Sequence, residues 1–182
     1  MTDTQWPLYE VFIQEKPNKS HHNVGSVHAV DGEMAVLNAR TVFGRRPLCH
    51  NMWVAPRTAI LSRTAEELTN EPLSLSSLSP DDGQQAYYIF QKTTQRRAMA
   101  FVVHVGEVTA VSPEQALQAA IDIYSDKPVY VWWVIPTDAI NKTEDDDLDA
   151  FFAPALDKTY RQPSAYRTFS AIRRARKQKR PS

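Results

Sequence analysis

Cys49 stands beside His50. A thiol next to an imidazole is the pairing a cysteine nucleophile needs. Adjacent side chains point apart, however, and no third group is evident to orient the base, so catalysis is not expected there. The other histidines are His21, His22, His28 and His104. None stands in the Cys-x-x-Cys, Glu-x-x-His or His-x-His spacings that gather metal ligands. His21 and His22 are expected in a hairpin turn, and neighbours in sequence seldom share a metal. His28 falls on a strand and reads as a structural residue. The run Glu144-Asp145-Asp146-Asp147-Leu148-Asp149 concentrates acid. It lacks the alternating acids, central glycine and terminal glutamate of a calcium loop. Five glycines supply no phosphate loop. Gly25 and Gly106 are isolated strand glycines, which mark a bulge or a close backbone approach. The expected inventory holds no catalytic residue, no metal site and no cofactor site.

Charge excludes another class. The 182 residues carry 21 basic and 21 acidic side chains. Six of the basic ones (Arg173, Arg174, Arg176, Lys177, Lys179 and Arg180) crowd the last ten positions, which leaves an acidic body. A nucleic-acid arm would interleave aromatics or glycine with its basic residues. This tail has neither, so no nucleic-acid partner is expected. No apolar run reaches the 18 residues of a membrane span. The opening Met1-Thr2-Asp3-Thr4-Gln5-Trp6 has no basic-then-apolar leader pattern. Cys49 is the only cysteine and fits a reducing compartment. The expected location is cytoplasmic.

The elements come from a repeat. Trp53-Val54-Ala55-Pro56-Arg57-Thr58-Ala59-Ile60 returns as Trp133-Val134-Ile135-Pro136-Thr137-Asp138-Ala139-Ile140. Tyr9-Glu10-Val11-Phe12 aligns with Tyr87-Tyr88-Ile89-Phe90, and Val24 to Val30 with Val105 to Val111. Three blocks in one order at near-equal spacing define a duplicated unit. In the first copy, Leu8 to Gln14 reads as a strand with Tyr9, Val11 and Ile13 on one face. Val24 to Val30 is a second strand, and Asp31 caps a helix running to about Gly44. Ala35, Ala39, Val42 and Phe43 form its expected buried stripe. Asn51 to Ala55 is a third strand, stopped by Pro56. In the second copy, Ser112-Pro113-Glu114-Gln115 is a capping box. Ala116, Ala120, Ile123 and Tyr124 repeat the stripe, and Tyr130 to Ile135 is a central strand.

The fold class is therefore α+β: two tandem strand-strand-helix-strand units forming a pseudo-dimer, with an extended C-terminal tail. Residues 1–63 are the first unit, 64–84 a linker lying along the surface as extended chain, and 85–142 the second unit. Residues 143–182 hold an acidic loop, an aromatic segment and the basic end. One helix covers one face of a three-stranded sheet, and a unit this small is marginal alone. The second unit is the natural cover for the other face. Trp53, Trp132 and Trp133 read first as core. Trp132 and Trp133 point to opposite faces, so one of them is expected at an interface.

Trp6-Pro7-Leu8-Tyr9-Glu10-Val11-Phe12, Val24-Gly25-Ser26-Val27-His28-Ala29, Met34-Ala35, Asn38-Ala39-Arg40, Arg45-Arg46 and Trp53-Val54 resemble the PaaB family, the B component of the bacterial phenylacetyl-CoA epoxidase. Phe151-Phe152-x-Pro154, Lys158-x-Tyr160-Arg161-x-Pro163 and Tyr166 resemble that family's C-terminal segment. This chain departs from the family in being a tandem. It also shows Pro47-Leu48-Cys49-His50 where the family has Glu-Gly, and Glu107-Val108-Thr109 where it has Ser-x-His. The resemblance implies a non-catalytic, cofactor-free bridging subunit of an oxygenase that epoxidises phenylacetyl-CoA or a related aromatic acyl-CoA. The implied partners are the di-iron catalytic subunit, its structural partner subunit and, as a further candidate, the flavin and iron-sulfur reductase.

Aromatics and arginine dominate interfaces. Trp132, Phe151, Phe152, Tyr160, Arg161, Pro163 and Tyr166 are thus the expected partner-binding residues. The competing expectation is that the aromatic tail packs back on the first unit. A different functional class, a free-standing tandem ligand-binding regulator, also fits paired α+β units.

Overall fold

The computed structural model describes residues 5–44, 49–71, 73, 83–95, 101–156, 170 and 172–174. Strand β1 (Leu8–Gln14) pairs antiparallel with β2 (His22–His28) on one side and with β3 (Asn51–Pro56) on the other. Helix α1 (Gly32–Phe43) packs on this sheet. The second unit repeats the plan with β5 (Gln85–Lys92), β6 (Val103–Ala110), α3 (Pro113–Tyr124) and β7 (Val131–Pro136). Asp31 caps α1 by accepting from the Met34 amide at 2.8 Å. Ser112 does the same for α3 through Gln115 at 3.2 Å, with Pro113 in the first turn. Capped first turns satisfy donors that the helix itself leaves open.

The β1–β2 and β5–β6 hairpins each slip register at one place, between Val11 and Phe12 and between Ile89 and Phe90. The two strand glycines lie opposite. Gly25 has φ +139, a conformation that side chains rarely adopt, and the Phe43 ring closes over its α-carbon. Gly106 leaves room for the Tyr124 hydroxyl. Each glycine therefore seats the last aromatic of its unit's helix.

The units then exchange pieces. A 3-10 turn at Arg57–Ala59 carries the chain from β3 into β4 (Leu61–Thr64), which pairs with β7 of the second unit. A matching turn at Thr137–Ala139 leads from β7 to β8 (Asn141–Lys142), which pairs with β3 of the first. Among the described residues the result is one eight-stranded sheet in the order β4-β7-β5-β6-β2-β1-β3-β8. Swapping the units leaves that order unchanged, which is the pseudo-twofold axis written in topology. At its centre β2 meets β6, paired at His22 opposite Val103.

Three cores follow. One lies under α1 and one under α3. The third joins the inner faces of the two halves of the sheet through Phe12, Trp53, Phe90, Trp133 and Ile135. Odd residues of β1 (Tyr9, Val11, Ile13) face α1 while Phe12 faces the other unit, as period two requires.

Several expectations need correction. Val42 and Ile123 are not in the buried stripes; they are 60% and 59% exposed. Val36 and Leu117 are buried instead. The buried faces centre on Ala39 and Ala120, and a helical step of about 100° per residue puts Val42 and Ile123 at the rim. Strand β2 begins at His22 rather than Val24 and ends before the Asp31 cap. The start of the expected extended linker is helical: α2 (Ala65–Asn70) is closed by a reciprocal Thr64–Glu67 capping box. Leu68 and Leu73 pack on the second unit's core. The expected acidic loop holds a 3-10 turn at Asp145–Asp147. The expected extended tail opens as helix α4 (Leu148–Leu156), with Pro154 inside it. Burial of Phe152 in the first unit's core offsets the amide bond that this proline forgoes. So the stretch after β4 packs on unit two, and the stretch after β8 packs on unit one.

Candidate functional site

The inner core ends in a polar cluster where the two units meet. His21 precedes β2 and stacks on Trp53 of β3, ring centroids 3.6 Å apart. Tyr88 of β5 stacks on the same indole at 4.9 Å. His104 of β6 stands edge-on to Trp53 at 5.4 Å and to Tyr88 at 5.1 Å. Lys142 of β8 reaches over both rings, 4.9 Å from Trp53 and 4.7 Å from Tyr88, and donates to the Tyr88 hydroxyl at 2.7 Å. A cation held over two aromatic faces is attracted by their quadrupoles. Asn51 completes the floor, near His21 Nε2 at 3.4 Å and accepting from Thr143 at 3.3 Å.

The opposite end of the axis carries a different set on equivalent positions. Glu10 stands where Tyr88 stands in the other unit, Asn23 where His104 stands, and Trp133 where Trp53 stands. Glu10 is buried and accepts from Asn23 Nδ2 at 3.0 Å and from Arg57 at 3.2 Å. The Arg57 guanidinium lies 5.0 Å above Trp133. One end thus holds an ion pair and the other a pair of imidazoles.

Burial sets the protonation states. His21 is pushed down to about 4, first by desolvation, against which Asn51 works and with which His104, Lys142 and His22 act. Burial also lowers His104. A neutral imidazole stacks on an aromatic without the desolvation cost of a cation. Cys49 is pushed up to about 12 by burial and donates its thiol to the Asn51 carbonyl at 3.3 Å. A thiol so protonated is a poor nucleophile. Among the described residues no three His, Cys, Asp or Glu side chains converge on a point that could hold a metal. The chemistry of the cluster is stacking and hydrogen bonding that lock one unit to the other. Where β2 and β6 part, a cleft of about 410 Å³ opens between Glu15, Lys19, His22 and Phe101.

Of the residues expected at a partner surface, the structure describes three: Phe151 and Phe152 stand together at 5.1 Å, and Trp132 lies in a different core. Trp132 is 3% exposed, in the core under α3. Its neighbour Trp133 is the tryptophan at the interface between units, edge-on to Phe12 at 6.1 Å. Phe152 is buried under α1, and Phe151 is half-buried beside it. The Arg40 guanidinium covers the Phe151 ring at 4.6 Å and donates to the Phe151 carbonyl at 2.6 Å. Tyr160, Arg161, Pro163 and Tyr166 lie outside the described residues. His28 is the structural residue expected, bonded through Nδ1 to the Trp6 carbonyl at 2.7 Å. Sequence reasoning missed Glu10, Tyr88, His104 and Lys142. The signal for the first two was present: in the aligned blocks Tyr-Glu-Val-Phe and Tyr-Tyr-Ile-Phe, only the second position changes character.

Among the described residues no helix is long and apolar enough to cross a membrane. No solved structure matches the chain. The B component of the 1,2-phenylacetyl-CoA epoxidase of Escherichia coli strain K12 is 43% identical over 67 residues, 37% of this chain and 70% of that relative. The sequence model of the family described as phenylacetic acid degradation B matches residues 5–76 and again 84–173. With nearly the whole chain matched, one stretch in each half, the chain belongs to the phenylacetic acid degradation B family.

Proposed function

We propose that this chain is a non-catalytic bridging subunit of a multicomponent di-iron oxygenase that epoxidises phenylacetyl-CoA or a related aromatic acyl-CoA. The observation that carries the reading is its 43% identity to a protein named as the B component of a phenylacetyl-CoA epoxidase. The seam supports it physically. His21 pairs with Asn51, Lys142 with Tyr88, and Glu10 with both Asn23 and Arg57, and these contacts stiffen a two-unit platform. A rigid, pre-formed surface is what a bridge needs, because ordering costs are then not charged to binding. The proposed partners are the di-iron subunit and its structural companion, with the reductase as a further candidate.

Buried Trp132 and Phe152 stabilise the platform itself. Contact with a partner is assigned to the open edge of Phe151 and to Tyr160, Arg161, Pro163 and Tyr166. The test is co-purification. The tagged full chain, co-expressed with untagged di-iron and structural subunits, is expected to elute with both as one stoichiometric species. The variant Arg161→Ala with Tyr166→Ala is expected to weaken that complex about tenfold or more. Elution of the chain alone at low salt, with both partners folded, would overturn the bridging reading.

A further inference from the structure

The two exchanged strands differ in charge where they cross the seam. Opposite Trp133, strand β4 sets Ser62. Opposite Trp53, strand β8 sets Lys142, whose ammonium lies over Trp53 and Tyr88 together. Two histidines share that indole, His21 stacked at 3.6 Å and His104 edge-on at 5.4 Å. Three groups that can carry positive charge therefore surround one ring. The other neighbours bring no counter-charge. Asn51 of β3 and Tyr88 of β5 supply hydrogen-bonding oxygens. The Cys49 thiol ahead of β3 is pushed up to about 12 by burial and stays protonated. His22 at the start of β2 opposes charge on His21, as His104 and Lys142 do, and Lys142 opposes charge on His104. The buried carboxylate of Glu10 is engaged at the other end by Asn23 and Arg57.

The histidines are wired to the end of β8. His21 Nε2 lies 3.4 Å from Asn51 Oδ1, and the same oxygen accepts from the Thr143 hydroxyl at 3.3 Å. Thr143 is buried; its hydroxyl accepts from the Met52 amide at 3.1 Å, and its own amide donates to the Met52 carbonyl at 3.0 Å. Like charges added around Trp53 are relieved by whichever group moves at least cost. The imidazoles are poorly placed to move. The His104 amide donates to the His21 carbonyl at 2.8 Å, and β6 is paired with β5 at seven positions. Strand β8 pairs with β3 at two positions, lies at the sheet edge, and both of its residues are exposed. Short, solvated edge elements open first.

We propose that β8 is an acid-released latch: protonation of His21 and His104 expels Lys142 from the Trp53–Tyr88 face, and residues 141–143 leave β3 while the rest of the seam stays closed. The open form bares the β3 edge at Trp53 and Val54. The latch does not depend on the oxygenase reading. Its direction follows from burial, which lowers both imidazoles in the closed form. The open form binds more protons, so closure is favoured above the ordinary 6.5 and is lost as pH falls towards 4. The test is native-state hydrogen exchange on the full chain, read at the Thr143 amide at pH 7.5 and pH 5 with intrinsic rates divided out. Protection is expected to be about tenfold lower at pH 5. It should also be nearly independent of low urea, because a local opening exposes little surface. Equal protection at the two pH values, or the urea dependence of global unfolding at Thr143, overturns the latch. His21→Gln is expected to remove most of the pH difference. Should that variant fold poorly, Lys142→Gln, at an exposed site, removes one of the three charges and should also shrink the difference. A pH difference as large as the parent's in a folded variant of either kind overturns the proposal.

Discussion

His21 shows how one side chain ties the seam to pH. Stacked 3.6 Å from Trp53, it is held down at about 4 by burial. The unfolded chain protonates the same imidazole near its ordinary 6.5. Between those values the unfolded state binds more protons, so stability falls as pH drops from 6.5 towards 4. At pH 5 the loss is about 2 kcal/mol. His104 adds to it in the same direction, and Lys142 and His22 oppose any new positive charge there. His21→Gln is expected to flatten this acid limb in urea unfolding compared at pH 7.5 and pH 5. An acid limb as steep as the parent's would rule His21 out as the source. The cluster was only partly legible in the sequence. The histidines were visible, but nothing local says that residues 21, 53, 88, 104 and 142 meet. Their meeting depends on strand exchange, a property of the pair of units rather than of any segment.

At the scale of elements, local signals served well where one segment decides the outcome. The caps at Asp31 and Ser112, the period-two face of β1 and the strand-strand-helix-strand order were all readable, because each depends on neighbours in sequence. The helix stripes were half readable. Ala35, Ala39, Ala116 and Ala120 are buried as the pattern predicts, but the rim depends on the angle at which helix crosses sheet, which periodicity does not encode. This distinction has a measurable consequence. Ala39→Asp and Ala120→Asp each bury an unpaired charge where no side chain can move aside, and should cost about 3 kcal/mol or more. Val42→Asp and Ile123→Asp place the same charge in solvent and should stay within about 0.5 kcal/mol. Thermal unfolding of the four variants checks this. Equal losses within each helix would mean that the face is wider than the burial shows. The Thr64–Glu67 capping box is also present in the sequence, starting on the last residue of β4. The Ser- and Pro-rich stretch that follows masks it, because composition there points to extended chain while a two-residue signature points to helix.

The whole molecule behaves as one body because each unit is finished by the other's chain. Strand β4 and Leu68 complete the second unit, while β8 and Phe152 complete the first. The Phe12–Phe90 contact at 4.4 Å then joins the two units. A linker-and-tail picture would let each unit melt alone and let the tail be cut away at no cost. Reciprocal packing forbids both. Phe152 lies 7% exposed among Ala35, Ala39 and Val54, so Phe152→Ala opens a cavity in unit one from a position nearly 100 residues downstream. The expected cost is about 3–5 kcal/mol, a fall in melting temperature of roughly 10 °C for a chain of this size. The informative readout is where that fall appears. Trp53 reports the His21 end of the seam and Trp133 the Arg57 end, so single-tryptophan variants keeping one or the other follow the two ends separately. In the Phe152→Ala background both fluorescence transitions should shift together and remain one cooperative step. A shift confined to the Trp53 reporter, with Trp133 melting at its parent temperature, would show that the shared core does not couple the units and that the exchanged strands contribute little.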